Sequence, residues 1–190
     1  MGTVTKTGST SVKVYNPYAM YITPFTDANT KGEKTYRMED IIRDSTSVNQ
    51  DDAEENKIEN EYGSAPIANN VKSGSFTFST QIADFQKDLL KDICGFDVDD
   101  TSNKAYAPAT YKEVFAEVAL VFQVGDGKYV AAILPKVQLN PKTVFESFSS
   151  SIGNVTINGI GYNMEITDGM KKYTSPFYFD PDYTLPDAEE

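Results

Sequence analysis

The chain has 190 residues, 17 Lys plus Arg against 28 Asp plus Glu, and a net charge of −11. It contains no His and a single Cys, Cys94. Those two absences remove the usual general base, the Ser–His and Cys–His pairs, a disulfide framework within the chain and a thiolate zinc site. The apolar share is 39% and no stretch approaches 18 apolar residues, so one domain with appendages is expected and no membrane-spanning helix.

In chain order, residues 1–11 carry, after Met1, only Gly, Thr, Ser, Val and Lys, and read as a flexible N-terminal arm without the apolar stretch of a secretory leader. Val12 to Thr23 gives short strands broken at Asn16-Pro17, and Thr26 to Lys34 has turn chemistry. Tyr36 to Asp44 alternates as a strand, with Tyr36, Met38, Asp40 and Ile42 on one side. Residues 44–56 are expected as a long polar, acidic loop insertion, and Lys57 to Tyr62 as a strand after it. Ser73 to Gln81 reads as a strand with Phe76 and Phe78 on one face.

Asp84 to Cys94 is the best helix in the sequence. Asp84 stands as N-cap, Phe85, Leu89 and Ile93 recur at every fourth position with Leu90 alongside, and Gly95 follows as the terminator. Lys112 to Val124 alternates over 13 residues, roughly 43 Å of strand and about twice the usual length. Gly125-Asp126-Gly127 is a hairpin turn, Lys128 to Leu139 returns with a bulge or edge at Pro135, and Asn140-Pro141 is expected to turn again before Thr143 to Ser149. After a turn at 149–154, Val155 to Thr167 closes the meander with a bend at Gly159 and Gly161. Residues 169–190 form an aromatic tail broken by Pro176, Pro181 and Pro186, unsuited to a core strand. The fold class is therefore mainly β: an antiparallel sandwich or barrel over 12–168, with one short flanking helix and the acidic loop.

The charge is local. Glu39 to Glu61 holds nine acids and two bases, and Asp180 to Glu190 holds five acids and no base, so the remainder is nearly neutral. Arg occurs only at Arg37 and Arg43, which leaves no basic cluster to grip nucleic acid.

Candidate chemistry is sparse. Asp97, Asp99 and Asp100 could ligate Ca²⁺, but they lack the Gly and the terminal Glu of an EF-hand loop, and a polar loop after a helix is the plainer reading. The run Asp51, Asp52, Glu54 and Glu55 reads as a solvated charge run before it reads as a cation site. Glu113 and Glu117 could pair as glycosidase carboxylates, but nothing marks a cleft and there is no Trp platform for sugar. Cys94 reads as a small apolar side chain. No catalytic residue, metal site or cofactor is expected.

Four stretches carry a resemblance: DIIRDSTSVNQDDAEENKIENEYGSAPI (Asp40–Ile67), NVKSGSFTFSTQIADFQKDLLKDICGF (Asn70–Phe96), AYAPATYKEVFAEVALVF (Ala105–Phe122) and YVAAILPKVQLNPKTVFESFSSSIGNVTINGIGYNMEI (Tyr129–Ile166). In order and wording they resemble the major tail tube proteins of long-tailed bacteriophages, the type found in phages and prophages of Bacteroidetes-like hosts. The resemblance implies two packed β-sheets flanked by a helix, and six copies joined edge to edge in a ring. Rings would stack into a tube in the virion tail. An acidic lumen would pass DNA without binding it, and the tail terminator, tape measure and baseplate or tip proteins would be neighbours. The family has no catalytic residues to carry over.

On this reading the subunit interface takes in Asp44, Ser45, Thr46, Ser47, Val48, Asn49, Gln50, Asp51 and Asp52 of the loop. Tyr173, Phe177 and Phe179 of the tail are expected to dock on a neighbouring copy. The acids that face the lumen are not assignable from sequence. The inner tube of a contractile injection system is the nearest alternative, and a carbohydrate- or Ca²⁺-binding β-sandwich of a cell surface the more distant one.

Overall fold

The computed structural model describes residues 17–38, 40–59, 66–83, 85–102, 104–110, 112–125, 127–144 and 153–186. The strands are β1 (Ala19–Pro24), β2 (Tyr36–Met38), β3 (Ser47–Gln50), β4 (Glu54–Glu59), β5 (Pro66–Lys72) and β6 (Phe76–Ile82). The helix α1 (Lys87–Asp92) follows, then β7 (Asp97–Asp99), β8 (Lys104–Tyr106), β9 (Val114–Gly125), β10 (Lys128–Val144), β11 (Asn154–Gly161), β12 (Met164–Asp168), β13 (Lys171–Ser175) and β14 (Tyr178–Tyr183). The expected N-terminal arm, the strand start at Val12–Tyr15, the Asp84 cap, Asp126 of the hairpin turn, the turn at 149–152 and the last four residues lie outside the described residues.

The protein is mainly β and antiparallel. Eight strands form one sheet in the order β2-β1-β9-β10-β11-β6-β3, with β14 added to β10. Among the described residues, three hairpins, β4–β5, β7–β8 and β12–β13, pair only within themselves. The alternation in β9 works as expected. Ala116, Val118 and Leu120 enter one cluster with Met20, Ile22, Phe78, Ile82, Leu134, Val137, Leu139, Val155 and Ile157. The opposite face of the same strands buries Ala119 and Val121 with Ala19, Tyr21, Ala131 and Ile133. Apolar residues on both faces of β9 follow from its central place between two covered surfaces.

Pro135 marks a bulge, as its missing N–H predicts. Leu134 pairs with Val118 and Val137 with Ala116, so Pro135 and Lys136 together stand opposite Glu117. Asn140-Pro141 does not turn. The strand runs on to Val144, with Pro141 opposite Ile157 on β11. Gly159 and Gly161 lie in a ladder with β10 that runs without a register shift, and they admit close neighbours: a Cβ at Gly159 would lie 2.3 Å from Val137 Cγ1 and 3.1 Å from the Gln138 carbonyl oxygen.

Tyr36 to Asp44 is not one strand. Asp40 and Asp44 have φ of 52° and 61°, in the left-handed region that a strand cannot contain and that Asp tolerates better than most residues. The chain instead crosses to β6. Ile41 bridges Ile82, the Ile42 N–H donates to the Gln81 carbonyl and the Ala83 N–H to the Asp40 carbonyl. Two residues lie between Met38 on the terminal strand β2 and this bridge to β6, so the sheet curls until β2 and β6 approach.

The helix is six residues long and begins after Gln86, whose φ of −57° and ψ of 140° are not helical. Leu89, Leu90 and Ile93 are buried in the first cluster and Phe85 packs against it, as the spacing predicts. Its end departs from a regular turn: the Cys94 N–H reaches back five residues to the Leu89 carbonyl, and Gly95 takes φ of 70°. On the outer face Gln86, Asp88 and Lys91 are exposed. Asp88 accepts from Lys34 at 2.8 Å and Asp92 from the Tyr36 hydroxyl, tying the helix to β2. Burial and the Asp92 hydrogen bond push the Tyr36 phenol up to about 12. Cys94 is buried, which pushes its thiol up to about 12 and leaves it no thiolate character.

The tail corrects another expectation. It returns to its own sheet. β12 and β13 form a hairpin, and β14 pairs with β10 through Tyr178↔Ile133, Phe179↔Ala132 and Asp180↔Ala131. Pro181 sits where the register slips between that ladder and the Tyr129↔Tyr183 pair, so the proline breaks the ladder without preventing the strand. Tyr178, Tyr183 and Leu185 cover the second cluster, whose small Ala side chains leave room for rings.

Candidate assembly surface and open sheet face

The segment 44–56 is not a loop throughout. Ser45 donates through Oγ to the Ile42 carbonyl at 2.6 Å and accepts the Gln81 N–H at 3.1 Å. The Thr46 hydroxyl meets the buried Thr80 hydroxyl at 2.9 Å. These tacks start β3, which pairs with β6 from Ser47↔Ser79 to Gln50↔Phe76. Val48 turns inward against the first cluster. The stretch ends where the Asp51 N–H donates to the Ser75 carbonyl at 2.9 Å. Gly74 is required there, since a Cβ would lie 1.8 Å from the Asp51 carbonyl oxygen. Asp52 is exposed, and the chain then enters β4. The polar composition hid an edge strand because β3 has only one apolar inward residue.

β3 therefore has one edge tied to β6 and one open. The Asp51–Ser75 bond fixes the alternation: residues 47, 49 and 51 address β6, and the backbone groups of Val48 and Gln50 point off the sheet. Among the described residues no strand pairs with that outer edge, nor with the outer edge of β2 at the other end.

The proposed tail contacts divide. Phe177 is spent within the chain, stacked on Phe76 and packed on the first cluster. Tyr173 and Phe179 remain exposed, at 49% and 45%. Asp44 is exposed and lies 3.7 Å from the Arg43 guanidinium. Of the residues expected at an interface, Ser47 to Gln50 form the β3 edge, Asp51 and Asp52 follow it exposed, Tyr173 and Phe179 are exposed, and Ser45, Thr46 and Phe177 make contacts within the chain.

Among the described residues nothing covers the face of β3, β6, β11 and the second half of β10 that points away from the core. It forms an open groove of about 680 Å³ lined by Ser47, Asn49, Thr77, Ser79, Gln138, Asn140 and Asn158, with Ile160 half exposed. Ser79 donates to Asn158 at 2.8 Å across it. No residue lining this groove is charged.

The carboxylates considered as chemical sites are dispersed. Asp97 binds Lys112 at 2.5 Å, Asp100 binds Lys87 at 2.7 Å, and Asp99 accepts from the Thr101 N–H and the Ser102 hydroxyl within its own turn. These partners hold the Asp99 and Asp100 carboxyls below the usual range. Glu117 binds Lys31 at 2.6 Å and Glu113 accepts from Gln138 at 3.2 Å. Glu113 and Glu117 thus each hold a different partner, Gln138 and Lys31. Among the described residues no three His, Cys, Asp or Glu side chains gather as metal ligands. No sequence signal marked the β3 edge; the Thr46–Thr80 pair and the close approach at Gly74 emerge only from the fold. A scan against protein-family models gives no match, and a search of the curated proteins gives none.

Proposed function

We propose that this chain is a structural, non-enzymatic subunit of a long-tailed phage tail tube, joining laterally in rings of six that stack into a conduit for DNA in the virion. The observation that carries the reading is that, among the described residues, no strand pairs with the outer edge of β3 in a large antiparallel sheet, nor with that of its other terminal strand, β2. Such edges are a hazard in a lone molecule and a means of assembly in a ring. The two-layer, tube-like arrangement belongs to the same reading. In it, the curled sheet supplies the wall and the β4–β5 and β12–β13 hairpins supply bridges between copies. The net charge of −11 and the two arginines give a polyanion little to adhere to. Tail terminator, tape measure and tip proteins are the partners this reading implies.

Negative-stain microscopy of the purified protein over a range of concentrations tests it. Six-membered rings or tubes are the expected result. A molecule that stays monomeric at every concentration would overturn the assignment. A sheath gene beside this one would move the reading to the inner tube of a contractile system.

A further inference from the structure

The open face has an unusual charge pattern for so acidic a chain. Strands β3 (SVNQ), β6 (FTFSTQI) and β11 (NVTINGIG) contain no Asp, Glu, Lys or Arg at all. They lie side by side in the sheet, β11-β6-β3. By contrast β4, β7, β12, β13 and β14 all carry charges. The charge-free patch continues onto β10 through Gln138 and Asn140. Charged groups stand only at its margin among the described neighbours on β9 and β10: Lys142 near the end of β10, Glu113 bonded to Gln138, and Lys136, which is engaged with the Ala28 carbonyl and Asn29.

The position of this patch in a ring follows from thickness. The other face of the same strands carries the core and α1. When sheets join edge to edge around an axis, the covered face needs the larger circumference and takes the outer radius. The bare face then looks inward. We infer that the channel wall of the assembled ring is an uncharged carpet of hydroxyl and amide groups, with Asn49, Thr77, Ser79, Gln138, Asn140 and Asn158 facing the passing nucleic acid, and that the acidity lies off the wall. The inference rests on the ring reading above and replaces the acidic lining which the family resemblance implies. A duplex carries one charge per ~1.7 Å and binds where Lys or Arg can displace its counterions. A neutral wall offers none, keeps its own hydration, and needs no repulsion to avoid adhesion.

Thiol labelling of assembled particles tests this. Asn158→Cys places a thiol on the proposed wall and Met170→Cys places one on the fully exposed tip of the β12–β13 turn, while the buried Cys94 thiol stays silent. In rings or tubes, the wall thiol of Asn158→Cys is expected to resist a 5-kDa maleimide polymer that labels the tip thiol of Met170→Cys. Small trimethylammonium and sulfonate methanethiosulfonates should react with the wall thiol in the rate ratio they show with a simple thiol, within about threefold. A preference for the cationic reagent of more than about tenfold would show an acidic wall and overturn the inference while the ring reading stands. Ready labelling of the Asn158→Cys variant by the polymer would put this face outside, with the same consequence. Failure of wild type and both variants to form rings would overturn the ring reading and the wall with it.

Discussion

Phe177 lies stacked on Phe76, with ring centroids 5.1 Å apart and planes 7° from parallel. Phe76 opens β6, and Phe177 lies just before β14, so this pair fastens the returning tail to the sheet. Both rings are partly buried against the first cluster. Phe177→Ala is expected to cost about 2 kcal/mol in urea unfolding, less than a fully buried phenylalanine because the ring is only partly buried. A double-mutant cycle with Phe76→Ala should return a coupling of about 1 kcal/mol. A coupling near zero would mean the tail is held by β14 pairing alone.

Gly159 has a packing role rather than a turn role. A methyl group there meets Val137 Cγ1 and the Gln138 backbone, so Gly159→Ala should destabilise the protein by about 1–3 kcal/mol. Val137→Ala removes the clashing methyl. The double variant should therefore lose less than the sum of the single losses, which chemical denaturation of the four proteins can check. Simple additivity would place the strain at the Gln138 carbonyl instead.

Alkaline pH should loosen the second cluster. Burial, with Glu117 close by, pushes the Tyr178 and Tyr183 phenols up to about 12. In the unfolded chain tyrosine titrates near 10. Between these values the unfolded state releases protons that the folded state keeps. The contribution is therefore complete below about pH 10 and lost as pH rises through about 12. Tyr178→Phe with Tyr183→Phe should flatten the fall in urea midpoint over that range. An unchanged slope would mean that these phenols reach solvent when they ionise.

The β3 edge can be blocked without cutting its ties to β6. The Gln50 N–H points off the sheet, so Gln50→Pro removes an outward donor and leaves the Asp51–Ser75 bond in place. The expected result is a folded protein, by circular dichroism and melting, that forms no rings in negative stain. Rings from Gln50→Pro would exclude this edge as the lateral joint. The point substitution is more selective than deleting Asp44–Glu55, because that deletion also removes the Ser45 and Thr46 bonds that close the curled sheet.

The sequence by itself determined the β class, the alternation of β9, the hairpin into β10, the bulge at Pro135 and the apolar face of α1. Each depends on neighbours close in the chain: side-chain period, a missing N–H, a glycine after a helix. It also determined what the chain lacks, since chemistry that needs His or a second Cys cannot arise from folding. Only the tertiary structure decided that Ser47–Gln50 is an edge strand, that Pro141 runs on inside β10, that Asp40 and Asp44 break a strand and that the proline-rich tail adds to β10. Those four outcomes come from partners more than a dozen residues away, whose hydrogen bonds and burial outweigh weak local preference. The grouping of three charge-free strands on one face has the same origin. Their neutrality is written in the chain, but their adjacency is set by the order in which the sheet pairs.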